Sequence, residues 1–181
     1  MARAGRGREP TAEMDAERVL DLVEHLEAHG IRVWLDGGWA IDALLGRQTR
    51  AHDDLDLVTL LDDSARIERA LGSLGYVLAG GGPPHSFELV DRDGHQVDAH
   101  PVVLATGGHG VYRMESGEDW IFPADGFEGR GWIEGRDVPS LTPEVVLVNH
   151  TTGYALDLDH QRDVQALCAH YGLPLPDFER R

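Results

Sequence analysis

Two aspartates separated by one residue are the part of this sequence with the clearest potential for chemistry. Asp54 and Asp56 lie in the run Asp-Leu-Asp-Leu-Val-Thr-Leu, which predicts a strand. Successive side chains of a strand point to opposite faces, so both carboxylates lie on one face, about 6.6 Å apart. Two like charges at this spacing destabilise the strand unless water or a cation neutralises them. The pair therefore predicts half of a Mg²⁺ site, with Mn²⁺ as a substitute.

A turn suited to phosphate binding precedes that strand. Gly37 and Gly38 stand between a predicted strand ending near Leu35 and a predicted helix beginning near Trp39. Backbone N–H groups at such a helix start bind anions, and glycine lets a phosphate approach closely. A Gly-Gly pair alone is more often a simple turn, and Asp-x-Asp alone is common on solvated strand edges. Their order and spacing together favour a nucleotide site.

Basic residues follow on the loop that leads into the acidic strand. Arg47 and Arg50 could hold a polyphosphate, because forked guanidinium groups form charge-assisted hydrogen bonds with phosphate oxygens. The alternative is that Arg50 pairs with one of the many surface acids. His52, on the same loop, is a candidate for the substrate pocket.

A hairpin further along carries a polar stripe. Two predicted strands, Ser86 to Val90 and Gln96 to Val103, flank the turn signal Asp-Arg-Asp-Gly. On the second strand, Gln96, Asp98 and His100 share one face. Residue spacing alone does not decide whether this face is part of a functional site or only the solvated side of a sheet.

These segments resemble a known family of enzymes. Trp-Leu-Asp-Gly-Gly-Trp-Ala-Ile-Asp, followed by Gly-Arg-x-x-Arg-x-His-Asp-Asp-Leu-Asp, is similar to the small antibiotic nucleotidyltransferases within the DNA polymerase β-like superfamily. These comprise the lincosamide enzymes and the aminoglycoside enzymes that act on the 2''-hydroxyl. The likeness spans most of residues 31–174 and is weaker in residues 80–84 and 106–135.

The resemblance implies roles for the residues already singled out. Gln-Val-Asp-Ala-His-Pro resembles the family segment that brings a third carboxylate to the Asp-x-Asp pair, so Asp98 is the candidate metal ligand and catalytic base. Gly37, Gly38, Trp39, Arg47 and Arg50 are the candidate nucleotide-binding residues. His100 and Trp120 join His52 as candidates for the acceptor pocket, although aromatic residues here are equally consistent with packing at a sheet edge.

The resemblance also implies an activity. We expect transfer of AMP, or another NMP, from Mg·ATP or another nucleoside triphosphate to a hydroxyl of a small molecule such as a lincosamide or aminoglycoside. Two alternatives remain from the sequence: a toxin-like enzyme that modifies protein or RNA, and a nucleotide-binding module without catalysis. The acceptor and the oligomeric state are not specified.

Composition restricts the class of protein. The 181 residues carry a formal charge of −16, which argues against a nucleic-acid-binding surface. All sixteen basic residues are arginine, so enzymes that need a P-loop lysine, a kinase lysine or a Schiff base are excluded. No apolar run approaches a membrane span or a signal peptide, and we expect a cytoplasmic protein without a membrane partner.

The predicted architecture is α/β, strictly α+β: a mixed twisted sheet flanked by helices and closed by two C-terminal helices. We expect one nucleotidyltransferase domain, 1–181, comprising a flexible arm 1–10, a catalytic core 11–139 and C-terminal helices within 140–181. Apolar spacing predicts helices over 13–29, 140–152 and 159–171, and strands over 31–35 and 76–79. Loops are predicted over 80–84 and, mobile and rich in glycine, over 106–117.

Overall fold

The computed structural model describes residues 12–152 and 158–178, so the predicted arm 1–10 lies outside the described residues. This part of the chain forms five α-helices, two short 3-10 helices and nine strands. In order, the α-helices and strands are α1 (Ala16–Ala28), β1 (Val33–Leu35), α2 (Gly37–Leu45), β2 (Asp54–Leu60), α3 (Ser64–Ser73), β3 (Val77–Gly81), β4 (Phe87–Val90), β5 (Gln96–Leu104), β6 (Gly110–Arg113), β7 (Asp119–Phe122), β8 (Arg130–Ile133), β9 (Arg136–Pro139), α4 (Pro143–Thr151) and α5 (Leu158–Tyr171).

The main sheet is mixed, as the sequence predicts. Its strands run in the order β1-β2-β5-β4-β3, and β6 and β7 extend it from the far end of β5. The central pair β2 and β5 is parallel, whereas β1, β4 and β3 pair with their neighbours in antiparallel fashion. Strands β8 and β9 form a separate ribbon. The predicted α/β class is confirmed.

The two faces of the central strands differ sharply in polarity. On one face Leu55, Leu57, Val97 and Ala99 have no exposed surface and belong to the hydrophobic core. Helices α1, α2 and α3 contribute the other side chains of that core. Burial of such aliphatic side chains stabilises the fold by about 1.5–3 kcal/mol each. Burial of this face fixes the register of β2 against β5. The polar residues lie on the opposite face of the same strands.

Several predicted boundaries shift in the structure. Helix α1 begins after Asp15, whose carboxylate accepts a hydrogen bond from the backbone N–H of Arg18 at 2.9 Å, and Gly30 follows it at φ 66°. Helix α2 begins at Gly37, two residues before the predicted start. Gly37 itself takes φ 64°, so the chain turns into the helix at a position that favours glycine.

Two glycine-rich segments contain strands that the sequence predicts as loops. Strand β3 continues to Gly81, because it pairs with β4 beyond the last apolar residue. Within the predicted loop 106–117, Gly110–Arg113 pairs with both β5 and β7. These strands are stabilised by backbone hydrogen bonds to other strands. Such pairing does not require alternating apolar and polar residues, so the sequence shows no strand pattern there.

Among the residues of the described ranges, no helix is long and apolar enough to cross a membrane.

Close packing of α2 against β8 gives a stability prediction. A Cβ at Gly131 would lie 2.6 Å from the Ala43 Cβ and 2.7 Å from its carbonyl carbon, so Gly131→Ala must separate the helix from the ribbon. We expect unfolding in urea to show a loss of about 1–3 kcal/mol. Gly72→Ala in α3 is the matched control, since its Cβ meets nothing within 4 Å. The control should leave stability unchanged or raise it by up to about 1 kcal/mol. Equal effects in the two variants would contradict this packing argument.

Candidate active site

Pairing of β2 with β5 gathers the predicted carboxylates on one face of the sheet. Asp56 is the register partner of Asp98, and Asp54 is the partner of Gln96. Because the strands are parallel and in register, the side chains of Asp54, Asp56 and Asp98 point to the same side. All three are half-buried. The structure thus brings the three candidate metal ligands together.

The row of acids continues onto the next strand. Glu88 on β4 is the register partner of Asp98, which places a further carboxylate beside it on the same face. Sequence reasoning missed Glu88, although the predicted hairpin already contained the necessary signal. A hairpin across the Asp-Arg-Asp-Gly turn pairs residues whose numbers sum to a constant, and that sum sets Glu88 opposite Asp98.

Negative charge is concentrated at this face, and His100 and the Gln96 amide oppose its effect on Asp98 only in part. Burial, followed by the charges of Asp56 and Asp54, raises the pKa of Asp98 to about 7, and a hydrogen bond from the Gln96 side-chain amide opposes this rise. That amide nitrogen lies 2.8 Å from Asp98 Oδ1. A cation on this face would relieve the repulsion and return the carboxylate to its ionised form. The residues therefore fit a hard divalent ion.

A buried acid that the sequence analysis did not select borders the same site. Asp36 is 5% exposed, and its backbone N–H donates to the Asp56 carbonyl at 3.0 Å. Its Oδ2 accepts a hydrogen bond from Asn149 of α4 at 2.8 Å. Burial, with the charge of Asp56 second, raises the pKa of Asp36 to about 6. Asp36 was identifiable in principle, because it is one residue beyond a strand that pairs with β2.

Trp120 reaches this group indirectly. Its indole N–H donates to Asn149 Oδ1 at 3.2 Å, and Asn149 in turn holds Asp36. The half-buried ring packs against the hydrophobic core, and only its N–H reaches the polar group at Asp36 and Asn149. Its predicted place in an acceptor pocket stays a prediction.

His100 lies at the acidic pair. Its Nε2 is 3.3 Å from Asp56 Oδ1, and the residue is 8% exposed. Burial would lower the pKa of His100, but the hydrogen bond to Asp56 and the charges of Asp56, Asp36 and Asp98 outweigh it and raise that pKa. The imidazole therefore supports Asp56 directly, whereas the sequence analysis placed it in the pocket wall.

The two glycines leave room for functional side chains. A Cβ at Gly37 would lie 2.0 Å from Asp56 Oδ2, and a Cβ at Gly38 would lie 2.4 Å from His52 Nδ1 and 2.8 Å from an Arg50 nitrogen. Glycine at both positions thus lets the start of α2 approach the metal-site carboxylate and the basic loop at the same time. Backbone N–H groups at this helix start remain the candidate phosphate site.

Two sequence predictions need correction. The side chain of Trp39 is directed into the core, 2% exposed, and its indole N–H donates to the Met14 carbonyl at 3.0 Å, so it does not face a nucleotide. His52 is also 2% exposed, with Nε2 2.6 Å from Asp42 Oδ2. A polar loop position suggested exposure, but the buried carboxylate of Asp42 provides His52 with an internal partner. His52 therefore does not line a pocket.

The two loop arginines differ in their surroundings. Arg47 is exposed, and its role in nucleotide binding stays a prediction. The Nε of Arg50 donates to Asp163 Oδ2 of α5 at 3.0 Å, and its NH1 donates to the Ala51 carbonyl at 2.9 Å. Arg50 also lies beside Gly38, as described above. The ion pair and a phosphate contact are compatible only through different guanidinium nitrogens.

A second acidic group lies at the β4–β5 turn, away from this face. Ligand atoms of Asp91, Asp93 and His95 lie within 4.8 Å of one another. The turn itself explains the arrangement: Asp91 Oδ1 accepts the backbone N–H groups of Asp93 and His95, each at 2.9 Å, and Oδ2 lies 2.7 Å from His95 Nδ1. We assign this group to turn formation.

Comparison with known proteins agrees with the sequence motifs. A family model described as aminoglycoside-2''-adenylyltransferase matches residues 18–167. A lincosamide resistance protein of Staphylococcus haemolyticus is 31% identical over 143 residues, which is 78% of this chain and 86% of that protein. A 2''-aminoglycoside nucleotidyltransferase of Klebsiella pneumoniae is 40% identical over 65 residues, 34% of this chain and 37% of the relative.

Solved structures share the fold. The lincomycin-bound crystal structure of the lincosamide antibiotic adenylyltransferase LnuA matches with a TM-score of 0.77 at 24% identity, over 90% of this chain and 100% of that one. The complex of ANT(2'')-Ia with adenylyl-2''-tobramycin matches with a TM-score of 0.69 at 22% identity, over 87% and 89% of the two chains. At these identities the likeness establishes the architecture, which is the predicted nucleotidyltransferase fold.

The raised pKa of Asp98 predicts how stability changes with pH. In metal-free protein the folded state binds more protons than the unfolded state wherever the pH lies above 3.8, the ordinary value for an aspartate, and near or below about 7. We therefore expect Asp98 to lower the Tm, measured in chelator, as the pH rises from about 5 to 7, and His100 contributes with the same sign as the pH rises above 6.5. Asp98→Asn should flatten the profile. Asp137→Asn is the control, because Asp137 is exposed and its pKa is lowered by Arg130. A parallel profile for wild type and Asp98→Asn would contradict the assignment.

Proposed function

We propose, on the premise that this chain belongs to the aminoglycoside-2''-adenylyltransferase family, that this nucleotidyltransferase moves AMP from Mg·ATP to a hydroxyl of a lincosamide or aminoglycoside antibiotic. Members of this family use a nucleoside triphosphate as co-substrate together with a divalent cation. The observation that carries the proposal is the set of three carboxylates, Asp54, Asp56 and Asp98, on one sheet face beside the start of α2. Pyrophosphate is the second product.

Asp54 and Asp56 are the proposed metal ligands, with Asp98 as the third. A bound Mg²⁺, or Mn²⁺ in its place, would neutralise charge on the triphosphate and orient it for in-line displacement. His100 holds Asp56 Oδ1 through its Nε2, and Asp56 Oδ2 lies beside Gly37 at the start of α2. This position would let a cation bound at Asp56 also reach a phosphate held at the start of α2.

Asp98 is the proposed proton acceptor. Its pKa is about 7 in the metal-free protein, and a cation on this face would lower it, so the carboxylate would be ionised and able to accept a proton at neutral pH. The Gln96 amide holds Oδ1, and this leaves Oδ2 to take the proton of the acceptor hydroxyl. Asp98 lies on β5, next to the strand that carries Asp54 and Asp56. From there it could take a proton from an antibiotic hydroxyl bound on the opposite side of these carboxylates from the nucleotide.

Backbone N–H groups of Gly37 and Gly38 are the proposed phosphate contacts, with Arg47 and Arg50 nearby. The helix start supplies N–H groups that have no partner within the helix, and the positive end of the helix dipole favours an anion there. Arg50 keeps one face of its guanidinium on Asp163 while its NH2 lies beside Gly38. That NH2 is the nitrogen we assign to the phosphates.

The acceptor is proposed to lie on the polar face bordered by Trp120. The likeness to the lincosamide resistance protein covers 143 residues, against 65 for the 2''-aminoglycoside enzyme, and this favours a lincosamide as the first acceptor to test. We also propose that the enzyme acts in the cytoplasm, where ATP is available. Incubation with Mg·ATP and each antibiotic class, followed by mass spectrometry, tests the proposal directly. A product heavier by one AMP unit supports it, and unmodified antibiotics of both classes would contradict it.

Substitution of the carboxylates separates their roles. We expect Asp56→Asn to abolish turnover without unfolding the chain, because removal of one like charge relieves repulsion in the metal-free protein. Asp98→Asn should lower kcat by about 10²–10⁴, as expected when a general base is lost. Calorimetric titration of Mg·ATP should still show binding to Asp98→Asn. If nucleotide affinity falls together with the rate, Asp98 acts mainly as a metal ligand, and unchanged turnover would refute both roles.

Arg50 and Asp163 form a pair that tests the phosphate assignment. Arg50→Ala should raise the KM for ATP about 10-fold or more, because a charge-assisted hydrogen bond contributes about 1.5–3 kcal/mol. Asp163→Asn removes the ion pair but keeps the guanidinium, so its KM for ATP should change little. Steady-state kinetics with thermal melts for both variants provide the comparison. Equal loss of stability with no change in KM would show that Arg50 serves only the ion pair.

A further inference from the structure

His150 on α4 is a buried polar side chain that the proposed chemistry does not use. It is 4% exposed, and within the described ranges its Nε2 has no hydrogen-bond partner. The ring packs against His160 of α5 with centroids 5.5 Å apart. A buried donor or acceptor without a partner destabilises a fold, so such atoms in native proteins generally indicate a ligand or water that completes them.

Contacts of the neighbouring residues place His150 at the proposed phosphate site. Asn149, the preceding residue, donates to Asp36, and Asp36 immediately precedes Gly37 at the start of α2. On the other side, α5 is held to the basic loop by the Arg50–Asp163 hydrogen bond. Helices α4 and α5 contact each other, and both contact α2, so the end of α4 lies near the start of α2 and Arg50, the two groups assigned to the triphosphate.

The electrostatic surroundings agree with this position. His150 lies within reach of the charges of Asp56, Arg50 and His52. Burial, with the neighbouring His160 second, lowers the pKa of His150 to about 4, so the imidazole is neutral at neutral pH. A neutral imidazole offers one N–H donor without adding a second buried cation beside Arg50.

We propose that His150 is a further nucleotide-binding residue, whose Nε2–H donates a hydrogen bond to a phosphate oxygen of the nucleoside triphosphate. The inference rests on the proposed function, since it places the triphosphate between Arg50 and the start of α2. It also gives the C-terminal part of the chain a direct contact with the co-substrate. The tautomer follows from the ligand, because a phosphate oxygen accepts hydrogen bonds and donates none.

Binding to a non-hydrolysable ATP analogue with Mg²⁺ tests the proposal. His150→Leu removes the donor and should weaken binding about 10- to 100-fold, as for the loss of one hydrogen bond to a charged group. His150→Gln retains an N–H donor and should recover most of the affinity. Inorganic tripolyphosphate should show the same pattern, whereas adenosine should bind all variants equally. His170→Leu, at an exposed position of α5, is the matched control and should bind as wild type.

The wild-type protein gives a second measurement in case the leucine variant is unstable. In ¹⁵N-histidine-labelled protein, the His150 signal, identified by its absence in His150→Gln, should move when tripolyphosphate is added. A static His150 signal, or wild-type affinity in His150→Leu, overturns the proposal. A rise in KM for the antibiotic alone also overturns it. Binding to wild-type protein is measured before the variants are compared. If wild type binds neither the analogue nor tripolyphosphate, the proposed function is rejected as well.

Discussion

Electrostatic repulsion among carboxylates on the face shared by β2 and β5 is the constraint on which the rest of the structure depends. Asp56 and Asp98 are register partners, and burial, followed by the charges of Asp56 and Asp54, raises the pKa of Asp98 to about 7. The two strands stay paired because their other face is aliphatic and completely buried. Hydrophobic burial on one side of the sheet thus holds together the groups that repel each other on the opposite side.

Space is the second constraint, and it acts through glycine. Gly37 lies against Asp56, and Gly38 lies against His52 and Arg50, so the start of α2 approaches three charged or polar side chains at once. A larger residue at Gly37 would displace the Asp56 carboxylate, and one at Gly38 would displace the His52 imidazole. His52, which the sequence analysis placed in the substrate pocket, instead pairs with the buried Asp42 and so supports the loop from inside. The short motif therefore contains both the groups that face the ligand and those that support them.

The sequence was sufficient for the elements whose signal is local. Alternation placed Asp54 and Asp56 on one face, and the family resemblance supplied Asp98 as their neighbour. The sequence failed where long-range packing decides the outcome: Trp39 and His52 have polar or aromatic side chains beside a motif, yet buried partners direct them inward. Asn149 and His150 could not be selected because the contact joining α4 to the start of α2 spans 113 residues and leaves no periodic pattern.

The hydrogen bonds from Asn149 to Asp36 and between Arg50 and Asp163 have a consequence for synthesis of the protein. The recognisable motif is complete after about one third of the chain has been made. Its buried acid and its arginine obtain their partners only when residues 149 and 163 have left the ribosome. A nascent chain that already carries the whole motif therefore lacks the partners of Asp36 and Arg50, and the final geometry of the motif depends on residues translated 113 positions later.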